Sequence, residues 1–141
     1  MNGKQLKYQF CPKNFSNFAL DICGGGEYRR APLVIFDNNG NTSQLFYYQD
    51  GYLINKKSHL ALSASSEDDP ERIEVIQSPQ RNQAEQLWKI YESNKKGCVI
   101  WSVKYPTLCM TVEEGNYSDD TSIILQQYDK SGNQRFVINC K

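Results

Sequence analysis

Gln44-Leu45-Phe46, Gln86-Leu87-Trp88 and Gln134-Arg135-Phe136 read "QLF", "QLW" and "QRF": three times a glutamine stands two residues before a large aromatic ring. The triplets begin 42 and then 48 residues apart. A period of roughly 20–50 residues marks a chain built by repetition. Upstream lie three related stretches, "FALDI" from Phe18, "LALSA" from Leu60 and "LCMTV" from Leu108, and Leu20, Leu62 and Met110 each precede their glutamine by 24 residues. Between these landmarks run Leu33 to Phe36, Ile73 to Ile76 and Ile123 to Leu125; each copy opens on Tyr8 to Phe10, Tyr52 to Ile54 or Val99 to Trp101. The chain therefore reads as one domain of three homologous units, about 6–50, 51–97 and 98–141.

Each unit holds about four short apolar segments separated by Gly, Asn, Asp, Ser or Pro, the pattern of strands joined by turns. The stretch "NQAEQLWKIYESNKK" from Asn82 competes with this reading, because it is rich in helix formers and sets Leu87, Ile90 and Tyr91 on one helical face. Its counterparts "TSQLFYYQD" and "GNQRFVINC" carry β-branched or aromatic residues between turns, so its place in the repeat predicts a strand. The expected class is all-β.

Lys plus Arg and Asp plus Glu both number 16, so the chain lacks the basic surplus of a non-specific nucleic-acid binder. No segment reaches the roughly 18 apolar residues of a membrane-spanning helix. The opening "MNGKQLKYQF" has no signal-peptide core, which predicts a cytoplasmic or non-classically secreted chain unless it is a piece of a secreted parent. Cys11, Cys23, Cys98, Cys109 and Cys140 show no metal-ligand spacing. They read as reduced thiols, with Cys98–Cys109 and Cys11–Cys140 pairings left open for an oxidising setting.

Three units of 40 to 50 residues, each starting on an apolar strand like "FALDI" and ending on Gln-x-aromatic, resemble the ricin B-type lectins. The resemblance implies a β-trefoil: a six-stranded barrel closed at one end by three hairpins, with pseudo-threefold symmetry. In that frame Phe46, Trp88 and Phe136 each give one ring to a shared core. The three glutamines then bond backbone groups of irregular turns.

The resemblance also implies sugar recognition, with galactose or N-acetylgalactosamine the expected ligands. Sugar-binding units of this family supply an Asp after the first apolar strand, an aromatic from the next strand and an Asn near the glutamine. A pyranose needs a flat ring against its C–H face and a carboxylate or amide for its hydroxyls. The first unit has the fullest set: Asp21, Gly24 in a turn that admits close approach, Phe36, Asn38, Asn41 and Gln44, with Ser43 where the family often has Asn. Arg29 and Arg30 are expected at its rim. The second unit has Ser63 and Ser78 in place of Asp21 and Phe36. The third has Thr111 and Gln126 there, but keeps Asn133 and Gln134 and offers Tyr128, with Glu113 or Glu114 as substitute carboxylates.

No catalytic or metal set is expected, and no cofactor. His59, the one histidine, lies in a turn with no nucleophile motif. The run "SSEDDPER" from Ser65 lacks Ca²⁺-loop spacing. Two functions remain: a non-catalytic lectin for glycans or glycoproteins, made multivalent by a homodimer or a larger parent, or a trefoil for protein contact, cytoskeletal or signalling, with degenerate sugar sites.

Overall fold

The computed structural model describes residues 5–93 and 96–141. Its strands fall in fours: β1 (Tyr8–Pro12), β2 (Phe18–Ile22), β3 (Leu33–Asp37) and β4 (Phe46–Gln49); β5 (Tyr52–Asn55), β6 (Ala61–Ser65), β7 (Ile73–Ser78) and β8 (Trp88–Ser93); β9 (Gly97–Ser102), β10 (Leu108–Val112), β11 (Ile123–Gln127) and β12 (Phe136–Cys140). No α-helix occurs among the described residues. In the stretch from Asn82, a 3-10 turn at Ala84–Gln86 leads into β8. Tertiary burial overrides helix propensity there: Trp88 is buried and Ile90 packs on the core, while Tyr91 is 62% exposed.

Strands β1, β4, β5, β8, β9 and β12 form the barrel, paired as β1–β12, β1–β4, β4–β5, β8–β9 and β9–β12. The ring is completed where the Trp88 N–H donates to Gly51 C=O at 2.9 Å. Hairpins β2–β3, β6–β7 and β10–β11 share one five-rung register, with Leu20 opposite Ile35, Leu62 opposite Gln77 and Met110 opposite Leu125. They gather over one end of the barrel, linked by Pro32–Ile76, Val34–Ser122 and Leu125–Ile73 pairings. This is a β-trefoil.

The triplets generate the pseudo-threefold symmetry. Each glutamine ends a 3-10 turn, Thr42–Gln44, Ala84–Gln86 or Gly132–Gln134, and is fully buried. Its amide Nε2 donates to a carbonyl seven residues back, Asp37 at 2.7 Å, Pro79 at 2.9 Å and Gln127 at 2.9 Å. Its Oε1 accepts the N–H five residues back, from Asn39 at 3.2 Å, Arg81 at 2.6 Å and Asp129 at 2.9 Å. One side chain thus satisfies both polar groups of a turn that no sheet ladder can serve. The middle residue repeats as well: Leu45, Leu87 and Arg135 C=O accept from Lys56, Val103 and Lys13 N–H at 2.9, 3.1 and 3.0 Å. The third residue is the core ring, with Phe46, Trp88 and Phe136 at most 1% exposed. Phe10 meets Phe46 edge-on at 6.0 Å.

All five cysteines are free thiols. β1 and β12 do pair, but Cys11 stands opposite Val137 and Cys140 opposite Tyr8, three rungs out of register. Cys98 faces Glu92 and Phe136, whereas Cys109 faces Gln126 and Trp101. Neither pairing left open by the sequence forms. Burial pushes the Cys98 and Cys109 thiols up to about 12.

Gly97 opens β9 at φ +78°, and a Cβ there would lie 2.7 Å from the backbone oxygen of Phe136. Gly97→Ala is expected to cost about 1–2 kcal/mol from left-handed backbone strain alone, with the clash in addition. Urea denaturation at constant m checks it.

Candidate functional site

Asp21 sits near the end of β2, opposite Val34, and is 4% exposed. Its Oδ2 accepts from Gln44 Nε2 at 3.0 Å, so the triplet glutamine of the first unit orients this carboxylate from beneath. Oδ1 has no hydrogen-bond partner among the described residues. Burial raises the Asp21 pKa above the ordinary carboxylate value; Ser43, Gln44, the Ile22 N–H and the charge of Lys57 oppose the shift without cancelling it.

After β2 the chain turns through Cys23–Gly25, with Gly24 and Gly25 at φ +65° and +62°. A Cβ on Gly25 would come 3.2 Å from Lys57 Nζ and 3.7 Å from Ser43 Oγ. Glycine therefore keeps that space open. Asp21, Gly24, Gly25, Phe36, Asn41 and Ser43 border a cavity of about 400 Å³, with Cys23, Asn39, Lys57 and Asp120 completing the wall. Phe36, half-exposed on β3, supplies the flat surface.

The other expected first-unit residues lie differently. Asn38 does not border the cavity: its Nδ2 donates to Ser16 C=O at 3.0 Å and its Oδ1 accepts from Gln9 at 2.8 Å, which ties β3 back to β1. Gln44 lies below the cavity, behind Asp21. Arg30 is engaged by Glu67 and Asp68 of the acidic run, away from the rim.

Four wall residues escaped the sequence reading. Asn39 is the residue whose N–H the Gln44 side chain holds, and its Oδ1 caps the Asn41 N–H at 2.9 Å. Cys23 opens the glycine turn. Lys57 comes from the β5–β6 turn and donates to Gly25 C=O at 2.7 Å. Asp120 comes from the β10–β11 connection, which is pinned to β3 by Asp120 N–H to Ile35 C=O at 2.9 Å and Asp37 N–H to Asp119 Oδ1 at 2.9 Å. The site is built from all three units.

The matching cavity of the second unit shrinks to about 190 Å³ and has Ser63 at the Asp21 position, with Arg81, Gln83 and Glu85 for Asn39, Asn41 and Ser43. Ser78, aligned with Phe36, is buried and accepts from Gln86 Nε2 at 2.8 Å. In the third unit Thr111 donates to Cys109 C=O at 3.1 Å and accepts from Gln134 at 3.2 Å, so its hydroxyl is already engaged as donor and acceptor and offers no charged oxygen like Asp21 Oδ1. Asn133 donates to Val112 C=O at 3.0 Å, and Gln126 is exposed. Tyr128 accepts from Arg135 Nη2 at 2.6 Å and tilts against Trp101. Arg72 grips Glu113 at 2.5 and 2.8 Å and holds its carboxyl below the ordinary range. Glu114, at φ +55°, stands where the first unit has Gly24.

Residues 12–136 match the sequence model of the ricin-type β-trefoil lectin domain. The chain belongs to that family. Solved structures of the lectin fold agree over the whole domain. A designed threefold-symmetric protein, ThreeFoil, superposes with a TM-score of 0.84 at 20% identity, covering 94% of this chain and 96% of that one. The Rhizoctonia solani agglutinin gives 0.82 at 16% identity, covering 100% and 99%. The C-half of an earthworm R-type lectin, in complex with GalNAc, gives 0.79 at 18% identity, covering 96% and 99%. No curated protein matches the chain by sequence.

Proposed function

We propose that this domain is a non-catalytic lectin that takes a galactose- or N-acetylgalactosamine-type sugar in the first-unit cavity. The observation that carries the reading is Asp21 Oδ1: a buried carboxylate oxygen with no hydrogen-bond partner among the described residues, in a cavity walled by the ring of Phe36. Leaving a buried acceptor unsatisfied costs roughly 1–3 kcal/mol. A pair of sugar hydroxyls satisfies it, while Phe36 covers the apolar face of the ring. The choice of sugar follows the family resemblance and the GalNAc held by the earthworm relative.

Calorimetric titration with galactose and with N-acetylgalactosamine tests the reading. The expected constant is about millimolar, near −4 kcal/mol. Ser63→Ala is expected to change nothing, because the second unit has neither carboxylate nor ring. A wild type that binds neither sugar yet captures a protein partner overturns the proposal in favour of a protein-contact trefoil. At such affinity, function requires clustered glycans and several sites, from a homodimer or a larger parent chain.

The raised pKa of Asp21 sets the pH dependence. Ionised Asp21 is the stronger acceptor, so galactose affinity is expected to fall on acidification at a pH above the ordinary Asp value of about 3.9. Stability runs the other way for this group. Because its folded pKa lies above its unfolded one, its stabilising contribution is full below the unfolded pKa and is lost as pH rises through the folded pKa. Asp21→Asn should flatten the acid limb of the binding curve.

A further inference from the structure

A second cleft lies outside the three threefold-related positions. β8 and β9 pair with Lys89 opposite Trp101 and Tyr91 opposite Val99. Since Trp88 and Ile90 face the core, alternation turns Lys89 and Tyr91 outward, on the same face as Trp101. These three, with Ser102, Val103 and Pro106, enclose about 290 Å³. The barrel core has no need of this arrangement: one residue before the partners of Phe46, Trp88 and Phe136 stand Ile54, Trp101 and Cys11, so the ring occurs once in three copies.

The ring is held in place. Tyr128 tilts against Trp101 at 59° with centroids 5.0 Å apart, and Tyr128 is itself fixed by Arg135, which donates to its hydroxyl at 2.6 Å and lies 5.8 Å from its centroid. Trp88 donates its indole N–H to Leu62 C=O at 3.1 Å, whereas the Trp101 N–H and the Lys89 ammonium donate to no group among the described residues. Among the described residues no carboxylate borders this cleft, while the first-unit cavity holds Asp21 and Asp120.

We propose that this cleft is a second carbohydrate-binding site, for a pyranose that carries a sulfate or carboxylate. The sugar's C–H face lies on Trp101 beside Tyr91. The acidic substituent meets Lys89, and the indole N–H donates to a ring substituent. Rings, free donors and a cation without an opposing carboxylate complement an anionic sugar and disfavour a basic peptide. The site is independent of Asp21, so it stands or falls separately from the first-unit reading.

Saturation-transfer NMR of the full chain carrying Asp21→Asn, titrated with galactose 6-sulfate and with galactose, tests it. The sulfated sugar is expected to bind more tightly than galactose. Adding Trp101→Ala should weaken it by about tenfold or more through the loss of buried ring area. Adding Lys89→Met should bring the sulfated sugar down to the level of galactose. Near-UV circular dichroism from Trp88 verifies folding of every variant. The proposal is overturned if galactose 6-sulfate does not bind the Asp21→Asn protein, if it binds no better than galactose, or if a folded Trp101→Ala variant binds it unchanged. It is equally overturned if Trp101→Ala abolishes capture of a protein while sugar binding is unaffected.

Discussion

Asp21→Ala is expected to weaken galactose binding by at least about tenfold, enough to put a millimolar site beyond detection, since hydrogen bonds to a charged acceptor are worth roughly 1.5–3 kcal/mol. Loss of the fold is not the cause to expect. Asp21 makes no hydrogen bond to the Gly24–Gly26 turn; that turn is held by Lys57 to Gly25 C=O and by Gln77 to Gly26 C=O. The alanine variant does leave one N–H of buried Gln44 without its acceptor. Asp21→Asn separates the two effects, because its amide oxygen still receives Gln44 while the charge is gone. At neutral pH the Asn variant should be at least as stable as the wild type, since the ionised group pays a desolvation penalty in the folded state. Phe36→Ala, which removes a half-exposed ring, should reduce binding similarly with little change in urea midpoint. A folded Asp21→Ala, Phe36→Ala double variant with undiminished galactose titration would defeat the lectin proposal.

The largest loss of stability is expected from Trp88→Ala, about 3–5 kcal/mol by the behaviour of large aromatics in packed cores. Trp88 is 1% exposed, and its indole N–H satisfies Leu62 C=O, so the substitution opens a void and orphans a buried acceptor together. Phe46→Ala and Phe136→Ala should fall in the same range without the hydrogen-bond component. Trp101→Ala should move the urea midpoint far less, because that ring lies on the outside of the barrel. A Trp88→Ala loss below about 2 kcal/mol would mean that the ring is not the packing centre that its burial indicates.

The fold was legible because its determinants are local and occur three times. Gln44, Gln86 and Gln134 each close a turn with groups five and seven residues back, a short-range task that leaves a spacing in the chain. The reading of β8 shows the same logic: its own residues favoured a helix, and the comparison with the other copies restored the strand. The candidate site was legible only where it is local. Asp21, Gly24, Phe36 and Asn41 belong to one unit and border one cavity, whereas Lys57 and Asp120 arrive from the other two through contacts that no spacing records. Asn38 and Asn39 differ by one position just past the end of β3, and the hydrogen bonds to Gln9 and Ser16 decide which of them turns from the cavity. Tyr128 looked available to a sugar in the third unit, but Trp101 and Arg135 engage it first.

The β1–β12 register has a mechanical consequence. The two strands run antiparallel with Tyr8 opposite Cys140, and Lys141 N–H still reaches Lys7 C=O at 2.8 Å, so Lys7 and Lys141 lie side by side on the barrel wall. A pull on the two ends therefore loads these rungs one after another, as a zipper does, instead of shearing all five together. The domain is thus built to yield rung by rung when Lys7 and Lys141 are pulled apart.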